Sequence, residues 1–253
     1  MSKNPIAPSI KKFPPRQRPD GELVVCLGDS ITHGQVSADW VTALMRADPS
    51  RAFINAGVGG ELAWNISRRL DAVIALRPDV VTLLVGTNDV SATFSPQAER
   101  MYRLLQRIPQ TPNLAWYIEN VDVILGRLSR ETSARVIVLD IPPVGEDVDS
   151  EINKKVLTYN AALRLTAAKY GIEPLPLRER LVDLIPAVHE VPKLEVKISK
   201  VISTTGRASL AHAFGKSWDH ISRKNGYAFT IDGVHLADRG GQVVEELVRS
   251  NLV

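Results

Sequence analysis

Cysteine is nearly absent from this 253-residue chain. Cys26 stands alone, which excludes an internal disulfide and any zinc site built on thiolates. No apolar run approaches the roughly 20 residues that a membrane-spanning helix needs. Internal repeats and low-complexity runs are missing as well, so collagen, a coiled coil and wholesale disorder are excluded. At 253 residues, with 44% apolar and 23% charged residues, the chain can bury a core large enough to fold without a metal or a disulfide.

A surplus of one charge is also missing from the body of the chain. The net charge is +3, but residues 1–20 hold five Lys/Arg and one Asp, a net of +4, so the remainder sums to −1. The basic character belongs to a tail and not to a folded face, and no nucleic-acid partner is expected. That tail contains Pro5, Pro8, Pro14, Pro15 and Pro19, which preclude a helix through it. It has no apolar stretch of the roughly 7–15 residues found in a secretory signal. Residues 1–20 therefore read as a basic, proline-rich arm draped on the surface, residues 21–253 as one domain, and the location as cytoplasmic.

From residue 22 on, strand-like and helix-like stretches alternate. Leu23–Leu27, Ala52–Asn55, Val80–Val85 and Val136–Leu139 are short apolar runs that end at glycine, asparagine or proline turns. Ile172–Leu177 is a weaker fifth strand, interrupted by Pro174 and Pro176. Helical spacing marks Trp40–Ala47, Leu62–Leu76, Pro96–Arg107, Leu114–Arg130, Glu151–Tyr170 and Gly240–Asn251. The alternation predicts a three-layer α/β/α domain around a mostly parallel five-stranded sheet. Residues 190–225 break the pattern. They hold seven Lys/Arg and three acids among Val, Ile, Leu, Phe and Trp, and read as an insertion with its own helices. Val196, Ile198, Val201, Ile202, Leu210, Phe214 and Trp218 are candidates to line an acyl pocket, with ordinary core packing as the simpler reading.

In an open parallel sheet, ligands bind beyond the carboxyl ends of the strands, and three glycine turns follow predicted strands there. The first is Gly28-Asp29-Ser30-Ile31, where a serine sits in a tight strand-to-helix turn; alone, Ser30 or Asp29 reads as a helix cap. The second is Asn55-Ala56-Gly57-Val58-Gly59-Gly60, whose amides can form an anion nest. It lacks the Lys-Ser/Thr of a phosphate loop and the third glycine of a dinucleotide site. The third is Gly86-Thr87-Asn88-Asp89, which offers a side-chain amide or an ordinary turn. Near the C-terminus Asp232-Gly233-Val234-His235 places a carboxylate three residues before an imidazole, the base-and-orienter half of a serine triad. His33, His189, His212 and His220 have no comparable setting and read as structural or surface residues.

A serine, glycine amides, an asparagine and an Asp–His pair make a complete set for acyl transfer. In order and kind these segments resemble the SGNH (GDSL-type) hydrolases: GDSI at 28–31, NAGVGG at 55–60, GTND at 86–89 and DGVHL at 232–236. Ile31 and Glu61 depart from the Leu and Asp common in that family, and neither is a reacting group. The resemblance implies a flavodoxin-like fold, with Ser30 as nucleophile, His235 as general base and Asp232 as its orienter. It also implies an oxyanion hole made by the Ser30 N–H, the Gly60 N–H and the Asn88 side-chain amide. An α/β-hydrolase is excluded, because its Gly-x-Ser-x-Gly elbow does not occur. The expected activity is hydrolysis of a small ester or lipid, without cofactor or metal. Transfer of the acyl group to another alcohol and carbohydrate O-deacetylation remain open on the same machinery, and a non-catalytic binder is disfavoured by the full set of five residues.

Overall fold

The alternation of side chains along β1 (Glu22–Gly28) explains the layering of the domain. Leu23, Val25 and Leu27 point into one buried cluster, Val24 and Cys26 into another, as the two-residue period of a strand requires. Both faces of the sheet are therefore covered. The computed structural model describes residues 20–187 and 198–252, together with residues 7, 9, 10 and 192; along 198–204 only the helix backbone is described.

After β1 come α1 (Ser30–His33), α2 (Trp40–Ala47), β2 (Arg51–Gly57), α3 (Ala63–Ser67), α4 (Leu70–Ile74), β3 (Val80–Leu84), α5 (Thr87–Ala92), α6 (Pro96–Gln106) and α7 (Leu114–Glu131). They are followed by β4 (Arg135–Val138), α8 (Glu151–Ala168), α9 (Leu177–Val182), α10 (Ile198–Ala213), α11 (Trp218–Lys224) and α12 (Asp238–Arg249). The strands pair in parallel in the order β2-β1-β3-β4. The chain runs from β1 outward to β2, then back across β1 to β3. That reversal is the switch point at which such sheets open a crevice. One face is covered by α3, α4, α7 and α8, the other by α2, α9 and α12.

The sheet has four strands and not the five expected. Residues 172–177 supply one parallel bridge, Leu139 to Leu175, with the Leu175 N–H on the Val138 carbonyl at 2.8 Å and the Asp140 N–H on the Leu175 carbonyl at 3.1 Å. Pro174 and Pro176 flank that bridge and have no N–H to extend it. The single helix expected over Leu62–Leu76 is split into α3 and α4. The Ser67 hydroxyl bonds back to the Trp64 carbonyl at 2.8 Å. Arg69, at the break, turns inward to the Gly28 and Ala56 carbonyls at 3.2 and 2.8 Å.

In the N-terminal arm, Ala7 is buried and donates its N–H to Thr42 Oγ1 at 2.9 Å. Ser9 bridges Asn55 in parallel beside β2, and Ile10 packs on the core. No helix among the described residues is long and apolar enough to cross a membrane.

Helix α1 sits directly on the end of β2. A Cβ at Gly57 would lie 2.3 Å from the His33 nitrogen and 2.7 Å from His33 Cα, so no side chain fits without moving backbone. We expect Gly57→Ala to cost about 1–3 kcal/mol through overpacking, read as a lower urea midpoint at unchanged slope.

Candidate active site

The carboxyl ends of β1, β2 and β3 bring the three glycine turns together. Asp29 caps α1, its Oδ1 accepting from the Ile31 N–H at 2.9 Å. The helix-cap reading of this turn is therefore correct for Asp29, while the Ser30 hydroxyl is left to face outward. His235 Nε2 lies 3.1 Å from Ser30 Oγ, and His235 Nδ1 lies 2.7 Å from Asp232 Oδ2. The other Asp232 oxygen accepts from the Val234 and His235 N–H groups at 3.0 and 2.8 Å. These contacts fix the imidazole with its proton on Nδ1, leaving Nε2 to accept from the serine.

The glycine turn after β2 faces the same serine, since a Cβ at Gly59 would stand 4.0 Å from Ser30 Cβ. Gly60 has φ +78, a left-handed conformation that disfavours other residues. The turn is tied down by Glu61, whose carboxylate accepts from Arg69 Nε at 2.7 Å. Because Arg69 also holds the Gly28 and Ala56 carbonyls, one guanidinium clamps the ends of β1 and β2.

Asn88 occupies the gap between these turns. Its Nδ2 donates to the Glu61 carbonyl at 2.8 Å and to Asp29 Oδ2 at 3.2 Å, and its Oδ1 accepts from the Tyr102 hydroxyl at 2.8 Å. Both amide hydrogens are thus engaged. The contact to Asp29 is the longer and weaker of the two.

Electrostatics divide the carboxylates into two kinds. Burial pushes Asp29 up to about 7, despite the N–H of Ile31 and the nearby His235. Burial likewise raises Asp89 to about 7, against the Ala63 N–H that both of its oxygens accept. In Asp232 burial is outweighed by the His235 charge and bonds, and the group lies below 3.8. Burial of the His235 ring works against its charged form, but the Asp232 carboxylate, helped by Asp29, lifts it above 6.5.

No local pattern signals several groups that shape this site: the Arg69–Glu61 pair, Tyr102, and Thr205 of α10, whose hydroxyl donates to Asp232 Oδ2 at 3.2 Å. Of the acyl-pocket candidates in residues 190–225, only Leu210, Phe214 and Trp218 have described side chains; those of Ile198, Val201 and Ile202 lie outside the described residues. Leu210 and Phe214 are 60% and 80% exposed, and Trp218 is buried against Ala208, Ile221, Ile231 and Ala237. Val196 and His189 lie outside the described residues. Two clefts, of about 630 Å³ beside α10 and α11 and about 500 Å³ along β4, are lined by other residues than Ser30 and His235. Among the described residues no group of three or more His, Cys, Asp or Glu could hold a metal ion.

A family model, the GDSL-like lipase/acylhydrolase family, matches residues 26–189, well over half the chain. The chain belongs to this family. It is an ester-bond hydrolase, with the GDSI, NAGVGG and GTND turns inside the matched region and the Asp232–His235 pair beyond it. Solved structures agree in fold. The acetyl xylan esterase AlAXEase is 19% identical with a TM-score of 0.63, over 91% of this chain and 100% of that one. An acetylxylan esterase from Geobacillus stearothermophilus is 15% identical with a TM-score of 0.63, over 91% and 93%. A GDSL-like lipase from Bacteroides thetaiotaomicron is 17% identical with a TM-score of 0.58, over 91% and 87%. No curated protein matches the sequence of this chain.

The two raised carboxylates of this GDSL-family site make stability depend on pH. Asp29 and Asp89 hold their protons to about 7 in the folded chain, against 3.8 ordinarily. Between those values the folded state binds more protons than the unfolded one, so stability falls as pH rises, by up to about 1.4 kcal/mol per pH unit for each group. Urea unfolding from pH 4 to 8 should show this decline. Asp89→Asn, which keeps an acceptor for the Ala63 N–H, should flatten it.

Proposed function

We propose that Ser30 is the nucleophile of a carboxylic ester hydrolase, His235 its general base and Asp232 the group that orients His235. The observation that carries this reading is the continuous line of contacts from Asp232 through His235 to Ser30, at 2.7 and 3.1 Å. A serine hydroxyl is a weak nucleophile until a base takes its proton. As Ser30 Oγ attacks the ester carbonyl carbon, its proton passes to His235 Nε2. The imidazolium that forms is stabilised by Asp232, which itself stays ionised.

The negative oxygen of the tetrahedral adduct is received by the Ser30 N–H, the Gly60 N–H and the Asn88 amide. Collapse of the adduct expels the alcohol, which takes the proton from His235. Water then repeats the cycle on the acyl-serine and releases the acid. No step needs a metal or cofactor.

The substrate we favour carries a short acyl group, acetyl on a carbohydrate hydroxyl. Two of the similar folds are acetylxylan esterases, and Trp218 and Ile221 of α11 are taken up in a small core with Ala208, Ile231 and Ala237. A sugar hydroxyl in place of water would turn the same acyl-serine toward transfer. Free acid dominating over transferred ester, with a competing alcohol present, identifies hydrolysis.

Ser30→Ala and His235→Ala should each lower kcat for p-nitrophenyl acetate by about 10³-fold or more, with the thermal transition retained. Asn88→Ala should lose about 10²–10³-fold in kcat as an oxyanion donor is removed. A Ser30→Ala enzyme that hydrolyses at the wild-type rate ends the assignment. Because the base must be neutral to act, activity is lost as pH falls through the raised pKa of His235. The acid-side midpoint of kcat/KM should therefore lie above 6.5. Asp232→Asn should move it down while lowering kcat by about 10⁴-fold.

A further inference from the structure

We infer that Glu146 is the positioning residue of the loop that carries Asp232 and His235, an inference that rests on the triad reading. Glu146 is 1% exposed and follows the Pro142-Pro143 turn after β4. Its Oε1 accepts from the N–H of Phe229 at 2.9 Å, the N–H of Thr230 at 2.9 Å and the Thr230 hydroxyl at 2.8 Å. Its Oε2 accepts from the Ala228 N–H at 2.6 Å. Four donors from three consecutive residues thus converge on one buried carboxylate. On the far side of Asp232, the Gly145 N–H donates to the Gly233 carbonyl. Two neighbouring residues of one loop hold the other loop on both sides of Asp232.

That grip is anchored in turn. Asn153 of α8 is fully buried. Its Oδ1 accepts from the Val144 N–H at 3.0 Å, and its Nδ2 donates to the Val144 carbonyl at 3.0 Å and the Asp147 carbonyl at 2.8 Å. The line of support runs from α8 through residues 144–147 to residues 228–233. The catalytic loop also closes on itself, with the Ile231 N–H on the His235 carbonyl and the Ala237 N–H on the Phe229 carbonyl, both at 2.8 Å. Its local shape is therefore set internally, and the bonds to residues 145 and 146 set where that shape sits over Ser30. A carboxylate is suited to the task because bonds to an ionised acceptor are shorter and about twice as strong as neutral ones. A glutamine cannot replace it, since its NH₂ would face a backbone N–H.

Glu146 touches neither Ser30 nor His235 in any described contact, so its effect must pass through His235. The test is a double-mutant cycle on p-nitrophenyl acetate. Glu146→Ala, Glu146→Gln and Thr230→Val are each made alone and in a His235→Ala background, with each variant melting above the assay temperature. We expect the Glu146 variants to lower kcat by about tenfold or more, with KM within about twofold. In the His235→Ala background the same changes should cost nothing further, because residues that act as a unit are not additive. Thr230→Val removes one of the four donors and should show a smaller loss that vanishes in the same way. It carries the test should Glu146→Ala fail to fold. A loss that persists undiminished without His235, a loss that falls on KM alone, or a folded Glu146→Ala enzyme with wild-type kcat overturns the inference. His235→Ala at the wild-type rate would instead overturn the triad reading itself.

Discussion

A hydrogen bond of 3.1 Å joins Ser30 to His235 across 205 residues of chain, and the architecture can be read as what is needed to hold its two ends. The serine end is simple. It follows β1, which is hydrogen-bonded on both sides and buried along nearly its whole length, and the tight turn after it is capped by Asp29. The histidine end has no strand beneath it. Residues 229–237 close only the Thr230–Leu236 bridge, so the segment carrying His235 is held by bonds from neighbours: Glu146 and Gly145 on one side, Ala38 on the Leu236 carbonyl at 2.9 Å on the other. Catalysis tolerates little displacement, because misplacing a reacting group by about 1 Å can cost about 10²-fold.

The same edge concentrates negative charge. Asp29, Asp89 and Asp232 lie close enough to influence one another or His235, yet only Asp232 is arranged to stay ionised throughout. The difference lies in the partners and not in burial, since Asp29 and Asp89 are buried and the Asp232 side chain is only 5% exposed. Asp232 has a cation-forming ring and three donors, the N–H groups of Val234 and His235 and the Thr205 hydroxyl, whereas Asp89 shares one N–H between its two oxygens. Under the proposed mechanism a neutral Asp29 beside Asn88 suits the reception of an oxyanion, because a second fixed negative charge at 3.2 Å from the donor would oppose it. The stability lost when Asp29 ionises and the receptiveness of the Asn88 amide are thus two consequences of one buried carboxyl.

Much of this was legible in the residues. The apolar runs at 23–27, 52–55, 80–85 and 136–139 announce strands buried on both faces, and the glycine that ends each of the first three marks where backbone must turn. Parallel order then forces those turns to one edge, so Ser30, Gly60 and Asn88 could be grouped before any distance was known. The spacing of Asp232 and His235 is weak evidence alone and gains weight only beside the three glycine turns. What stayed hidden depends on contacts between segments with no shared pattern. Glu146 sits in a polar turn that looks like any solvated loop, and nothing local says that three amides from residues 228–230 will enclose it. Arg69 reads as one more charge on a helix until the helix breaks and its guanidinium turns inward. The fifth strand, which Pro174 and Pro176 already mark as weak, is reduced to the single Leu139–Leu175 bridge because those prolines have no N–H to extend it.

Apolar composition alone does not assign residues 190–225 to a substrate pocket. The segment contains enough Val, Ile, Leu, Phe and Trp to line an acyl site, yet Trp218 is consumed in a small core with Ala208, Ile221, Ile231 and Ala237. Two of those partners, Ile231 and Ala237, bracket the Asp232–His235 loop in sequence, and Thr205 of α10 reaches Asp232 itself. The apolar side chains of α11 therefore serve to seat the catalytic loop from outside, while Glu146 holds it from within. A loop gripped from two directions by buried contacts loses little further freedom when a substrate binds, and that is the condition under which His235, 3.1 Å from Ser30, could serve as the proposed base without rearrangement.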